Sequence, residues 1–318
     1  MSAAACLVLL RQVGSVANAF TEGQGLTQEE VRHFRRSAKR SAVTERAQLA
    51  FLYVLLVAGA ALFMVPLYMM LVMSLKSQQE ISNSSPFALP LVWRWDNYKF
   101  LFTDANLNFL RSFWNTVLLT VPPTIGTTLT CALVAYPFAR MQFRGKDRLF
   151  IVLLSTMMLP GVVTMIPGYV MFARIGWVDT FWPFIVPAFL GGGAFNIFLV
   201  RQFMLGVPRE MDEAAKIDGA SHARIFWQVL LPNCGPVLAT IAVFSFVGGF
   251  RVFMEALIML NDPAKFPLEV TLRSLQSQRG TEWNYLMAGS VIVMVPIVVT
   301  FLACQRYFVR GIALTGGK

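Results

Sequence analysis

Two histidines, four cysteines and a modest set of carboxylates are what this chain offers for catalysis or metal binding. His33 and His222 lie in polar segments and belong to no Cys, Asp or Ser constellation of the kind that cages a metal or activates a nucleophile. Cys6, Cys131, Cys234 and Cys304 are far apart and show neither CxxC nor metal-ligand spacing, so they read as packing residues. The more telling polar groups stand inside apolar stretches, where an ionisable or amide side chain is costly and marks a pathway by default. Arg251 and Glu255 stand four apart, which on one helix puts them on one face within pairing distance. Two readings are open for Arg251: it lines a cavity and binds a hydroxyl-rich or acidic solute, or it bridges Glu255 near the outer interface and snorkels to water. Asn196, preceded by Gly191, Gly192 and Gly193, is a second cavity candidate, against the alternative that small residues there let helices pack closely. Asn115 is a third, with capping or a neighbour's hydrogen bond as its alternative.

The most patterned polar segment is VPREMDEAAKIDGASHARIFWQVLLP, residues 207 to 232. Pro208 suits a first helical turn, where its missing N–H is not needed. Glu210, Asp212 and Glu213 fall near the positive end of that helix, and Arg209 with Glu213 and Asp212 with Lys216 have i,i+4 spacing. Gly219 can take the left-handed conformation that stops a helix, Ser221 can cap the next one, and Pro232 closes it. The reading is a short stiff helix, a glycine bend and a second helix running back toward the bilayer. Such a unit transmits force, whereas a slack loop would absorb it.

The elements that must hold these groups are membrane helices. The 318 residues are 56% hydrophobic and only 14% charged, too few polar side chains to cover a water-soluble globule of this length. The net charge of +10 is dispersed between apolar spans rather than gathered on one polar domain, which excludes a nucleic-acid binder. Crossing about 30 Å of hydrocarbon takes about 20 residues at 1.5 Å each. Six stretches free of Asp, Glu, Lys and Arg qualify: 47 to 75, 112 to 139, 149 to 173, 180 to 200, 225 to 250 and 283 to 305, the fifth helix being expected from about 236 to 259. An all-α, six-span chain follows, since lipid offers no partner to an unpaired amide. With the N-terminus inside, 18 of the 27 basic residues fall on the cytoplasmic side, so both termini are expected there.

Residues 1 to 46 read as a basic cytoplasmic tail and 47 to 318 as the membrane domain; within the tail, Gln28 to Arg46 is either a partly helical segment drawn to anionic lipid or a disordered extension without function. The apolar run at residues 4 to 10 is short and lacks a basic region before it, so it is not read as a cleaved signal peptide. The outer loop from Lys76 to Arg111 carries Pro86, Pro90, Trp93, Trp95 and Tyr98 and suits a lid at the membrane interface.

A family resemblance rests on Glu213, Ala214, Ala215, then Gly219, then Val229, Leu231 and Pro232. These match the EAA motif of permease subunits of ATP-binding-cassette (ABC) importers, with Val in place of Ile as the one departure. The flanking FNIFLVRQFMLGVPREMDEAAKIDGAS, the ARMQFRGKD loop and the closing PIVVTFLACQRYFVRGIALTGGK resemble the maltose-type, MalG-like carbohydrate permeases from about residue 60 onward. The resemblance implies a MetI-like type I importer fold in a bacterial cytoplasmic membrane. It implies a coupling helix at 208 to 218, docked in a cytosolic ATPase through Glu213, Ala214, Ala215 and Asp218, with Gly219, Leu231 and Pro232 shaping the bend. The implied partners are a second homologous permease, two ATPase copies, an external substrate-binding protein and a sugar. No GxxxxGK[ST] phosphate loop is present, so ATP and Mg are expected on the ATPase and no cofactor on this chain, which is not an enzyme. GGFRVFMEAL departs from the family's usual FxxaWNdF pattern around Arg251, which keeps an acidic oligosaccharide or a glycerol phosphate compound open as the solute.

Overall fold

A computed structural model describes residues 28–277 and 280–315. Cys6, the run at residues 4 to 10 and the last residues of the chain lie outside the described residues, as do the side chains of the basic tail, His33 among them. The chain divides into two compact units, residues 1–67 and 68–318. In the first, α1 (Gln28–Ser74, its end reaching into the second unit) carries an apolar stretch from Gln48 whose side chains are almost all exposed, Phe51, Phe63 and Leu62 among them. A helix apolar on every side has no water-facing stripe and requires lipid around it.

The second unit is a helical bundle. One end is built from α2 (Gln78–Asn83), α3 (Asp96–Thr103), a short α13 (Met254–Met259) and α14 (Leu268–Ser274). Between these run α4 (Phe109–Arg140), α5 (Lys146–Ser155), α6 (Gly161–Arg174), α7 (Trp182–Ile185), α8 (Ala194–Gly206), α9 (Glu210–Ile217), α10 (His222–Arg224), α11 (Leu231–Asn233) and α12 (Gly235–Gly249). A π-helical turn, Ile225–Leu230, joins α10 to α11, and a two-residue antiparallel pair, Gln276–Ser277 with Gly280–Thr281, precedes α15 (Trp283–Thr315).

Four helices are long and apolar enough to cross a bilayer, and two bent pairs would bring the number to six. The expected third span, 149 to 173, is not straight: α5 and α6 meet at 98° across Leu159 and Pro160. Pro160 has no N–H to continue the helix and disfavours helical geometry in the residue before it. The expected fifth span also bends, by 76°, between α11 and α12. Its helix ends at Gly249 rather than running to 259, because the Gly248, Gly249 pair gives the last turn no side chains to pack. The fourth span, Trp182–Gly206, is likewise interrupted by Gly191, Gly192 and Gly193, whose φ values are 133°, 69° and 84°.

α4 is the axis of the unit, and Pro122, Pro123 and Pro137 sit within it without ending it. At one end, Cys131, Ala132, Ala135, Tyr136 and Ala139 form a stripe of mostly small residues packed on Ile197, Val200 and Met204 of α8, on Ile225, Phe226 and Leu230, and on Cys234, Val237 and Ile241. Small side chains let the backbones approach closely, the usual basis of helix packing in lipid. At the other end, Phe109 packs with Leu101, Leu268, Leu272, Leu275, Leu286 and Ala288. There the loop before α4 is tied down by polar contacts. Asn97 donates to the carbonyls of Ser74 and Lys76 at 2.8 and 2.9 Å and accepts from Asn284 at 3.1 Å. Trp93, Trp95 and Leu91 remain exposed.

Candidate functional site: the coupling segment

The segment after α8 forms a bent pair of helices. α9 runs from Glu210 to Ile217, with Glu210, Asp212 and Glu213 in its first turn and Lys216 in its last, each favourable to the helix dipole. Gly219 takes φ +79°, conformationally cheap for glycine alone. The Ala220 amide donates back to Ala215 at 2.9 Å, and Ser221 accepts from the Arg224 amide at 3.3 Å as an N-cap. The π turn at Ile225–Leu230 and α11 then carry the chain toward α12.

The i,i+4 pairs expected within α9 do not form. Asp212 turns inward and meets Arg140, the last residue of α4, at 3.0 Å, with both side chains buried. Neither Arg209 with Glu213 nor Asp212 with Lys216 makes an ion pair among the described residues. Geometry explains this: on an eight-residue helix seated by one face, the inward Asp gains more from a buried guanidinium than from a solvated Lys. Arg140 also donates through Nη2 to the Val207 carbonyl at 2.8 Å, and Arg201 donates through Nε to Phe138 at 3.1 Å while its guanidinium lies 4.2 Å from the Phe150 ring centre. Four residues before Arg140, the Tyr136 hydroxyl shares a 3.1 Å hydrogen bond with His222 Nδ1. Arg140 and Tyr136 are the residues that sequence reasoning missed. Arg140 looks like any positive-inside charge and Tyr136 like any interfacial aromatic, and only folding brings the 207 to 232 segment onto them.

The opposite face of α9 is bare. Glu213, Ala214, Asp218 and Gly219 are exposed, Ala215 is half-buried, and Ile217 is 87% exposed. An isoleucine so placed on a short polar helix wants a cover that the described residues do not give it. Leu231 is half-buried against the inner core and Pro232 is exposed in α11.

The expected pathway residues do not converge. Asn196 donates to the Gly192 carbonyl at 2.7 Å, repairing the broken backbone before α8. Asn115 donates to the carbonyls of Ala264 and Phe266 at 3.0 and 3.1 Å. With Ser112, 2.7 Å from the Thr271 hydroxyl, and Thr116, which accepts from the Leu268 amide at 2.8 Å, it forms a polar stripe on α4 that grips the outer segment. Arg251 and Glu255 do not share a helical face, because residues 250 to 253 break the helix between them, and they form no ion pair among the described residues. Both are exposed, and both act on the Glu269 carboxyl, whose pKa burial raises, with Arg251 lowering and Glu255 raising it in turn. Glu269 lines an open cavity of about 290 Å³ with Phe253, Leu272, Arg273, Gln276, Leu286 and Ser290.

The model of the family described as binding-protein-dependent transport system inner membrane component matches residues 128–314. The arabinooligosaccharides transport system permease protein AraQ of Halalkalibacterium halodurans is 33% identical over 223 residues, covering 70% of this chain and 79% of that one. Protein LplC of Bacillus subtilis is 30% identical over 272 residues, covering 81% and 90%. The maltodextrin transport system permease protein MdxG of Bacillus subtilis is 32% identical over 252 residues, covering 78% and 90%. Among solved structures, a chain of a bacterial ABC transporter involved in the import of the acidic polysaccharide alginate superposes with a TM-score of 0.73 at 24% identity, covering 83% of this chain and 98% of that one. With a family model matched over more than half its length, this chain belongs to the inner membrane components of binding-protein-dependent transport systems.

Proposed function

We propose that the chain is one of two permease subunits of an ATP-driven importer of oligosaccharides in a bacterial cytoplasmic membrane. The observation that carries this reading is the coupling segment: a stiff bent pair of helices, seated by one face on the end of α4 and offering Glu213, Ala214, Ile217 and Asp218 on the other. Relatives named as arabinooligosaccharide and maltodextrin permeases support the sugar. In this reading each bent pair is one span, giving six, and both termini are cytoplasmic. α9 docks in a cytosolic ATPase, where Glu213 meets a basic group, Ala214 and Ala215 allow close approach, and Gly219, Leu231 and Pro232 hold the bend. A second homologous permease supplies the other wall of the pathway, two ATPase copies bind ATP and Mg, and an external protein delivers the sugar. This chain holds no cofactor. Arg251 and Glu255, exposed at the end of the fifth span, stand on the pathway. Reconstitution of the complex in lipid tests the reading: neutral and acidic oligosaccharides, presented with the binding protein, should stimulate ATP hydrolysis, and Glu213→Ala should abolish that stimulation. A wild-type chain that brings down no ATPase overturns it.

A further inference from the structure

Both arms of the coupling segment are fastened to the same face of the same helix. Before the Gly219 bend, Asp212 of α9 binds Arg140, and after it, His222 binds Tyr136, four residues away on α4. The Tyr136 and Phe226 rings, 5.3 Å apart, fill the space between the arms. Far along the same helix, Ser112, Asn115 and Thr116 hold the outer segment by hydrogen bonds to Ala264, Phe266, Leu268 and Thr271. The two sets of contacts are about 30–40 Å apart along α4 at 1.5 Å per residue. The chemistry of the inner joint is unusual for a purely structural one. A buried ion pair is a poor source of stability compared with apolar packing, and here Asp212 Oδ1 and both Nε and Nη1 of Arg140 are buried without hydrogen-bond partners among the described residues, so the contact is held by charge. What such a pair does provide is a fixed attachment, since pulling one buried charge away from its partner leaves both uncompensated.

We infer that Arg140 and Asp212, with Tyr136 and His222, are positioning residues that make α4 the transmission rod of the transporter. Movement of α9 is delivered through these two joints to α4 and emerges at residues 261 to 275 on the far side. The inference rests on the importer reading above and adds the route of the stroke to it.

Two measurements on the reconstituted full complex test it. Amide hydrogen exchange of the wild type should change in residues 261 to 275 on addition of ATP. Arg140→Lys and Asp212→Glu keep the charges but misplace them, and should lower substrate imported per ATP hydrolysed about tenfold while erasing that exchange response. The exchanged pair, Arg140→Asp with Asp212→Arg, should recover part of both, which a merely structural defect would not. A wild type without an ATP response at 261 to 275, or conservative variants with full import per ATP and an intact response, overturns the inference. Absence of any ATPase bound to the wild type would instead overturn the importer reading itself.

Discussion

Asp179 and Lys265 join two loops through a 2.7 Å ion pair, and the second carboxylate oxygen of Asp179 accepts from the amides of Asn261 and Asp262 at 2.9 and 3.0 Å. Asp179 itself sits at φ +60°, a conformation a non-glycine residue holds only when its surroundings insist. Lys265 and the two amides hold its carboxyl down at about 2, from an ordinary 3.8. A carboxylate depressed in this way contributes its full share above the unfolded value and loses it as pH falls through the folded one. Asp179→Asn should therefore lower Tm by about 2–4 °C at neutral pH, for about 1 kcal/mol lost from a half-exposed pair, and the difference from wild type should vanish between about pH 4 and pH 2. Thermal unfolding in nanodiscs across that range checks it.

Asn115→Leu keeps the bulk of the side chain but leaves the Ala264 and Phe266 carbonyls without their donor. Each lost bond costs about 1 kcal/mol net, and more where the carbonyl stays buried. Faster amide exchange confined to residues 261 to 275, with the inner end unaffected, is the expected result.

Gly249 is pressed against Thr120: a Cβ there would lie 2.8 Å from Thr120 Cγ2 and 3.0 Å from its Cα. Gly249→Ala should destabilise the contact of α4 with α12 by about 1–3 kcal/mol, the usual range for overpacking. Adding Thr120→Ala should return part of that, because it removes the nearest methyl but not the backbone. Tm of the single and double variants measures both.

Ile217 gives the docking face of α9 a test that leaves Glu213 untouched. Covering a fully exposed isoleucine is worth about 2 kcal/mol, so Ile217→Asp should weaken ATPase association about thirtyfold. Since the side chain faces away from the core, the fold should survive, and co-purification titrated against free ATPase reports the loss.

Arg251→Ala should lower uptake severalfold if the exposed guanidinium at the end of the fifth span meets the solute. Uptake at wild-type rate for both neutral and acidic sugars would remove it from the pathway.

Much of this molecule could be read from residue order because its strongest signals are local. Apolar runs located the four long apolar helices to within about six residues, and the spacing from Glu213 to Pro232 located the bent segment, since a glycine φ and a serine cap depend on near neighbours. Contacts between distant residues were beyond that reasoning. Arg140 with Asp212, and Asn115 with Ala264, pair groups whose sequence neighbourhoods carry no hint of each other. Local reasoning also overextended helices: four-residue spacing placed Arg251 beside Glu255 only on the premise of an unbroken helix, which Gly248 and Gly249 end first.

The three consecutive glycines ahead of Asn196 have a consequence for how the subunit lives in lipid. Midway through a crossing, acyl chains can neither donate to a peptide carbonyl nor accept from an amide, so non-helical backbone there has to be screened from them. Gly192 is screened by α4, where a Cβ would strike the Thr127 carbonyl at 2.6 Å, while Gly191 and Gly193 look onto open space. The break nonetheless meets its surroundings with carbonyls already partnered: Asn196 closes on Gly192 at 2.7 Å and the Ile197 amide on Gly193 at 3.1 Å, so the polar cost of the interruption is met inside the subunit itself.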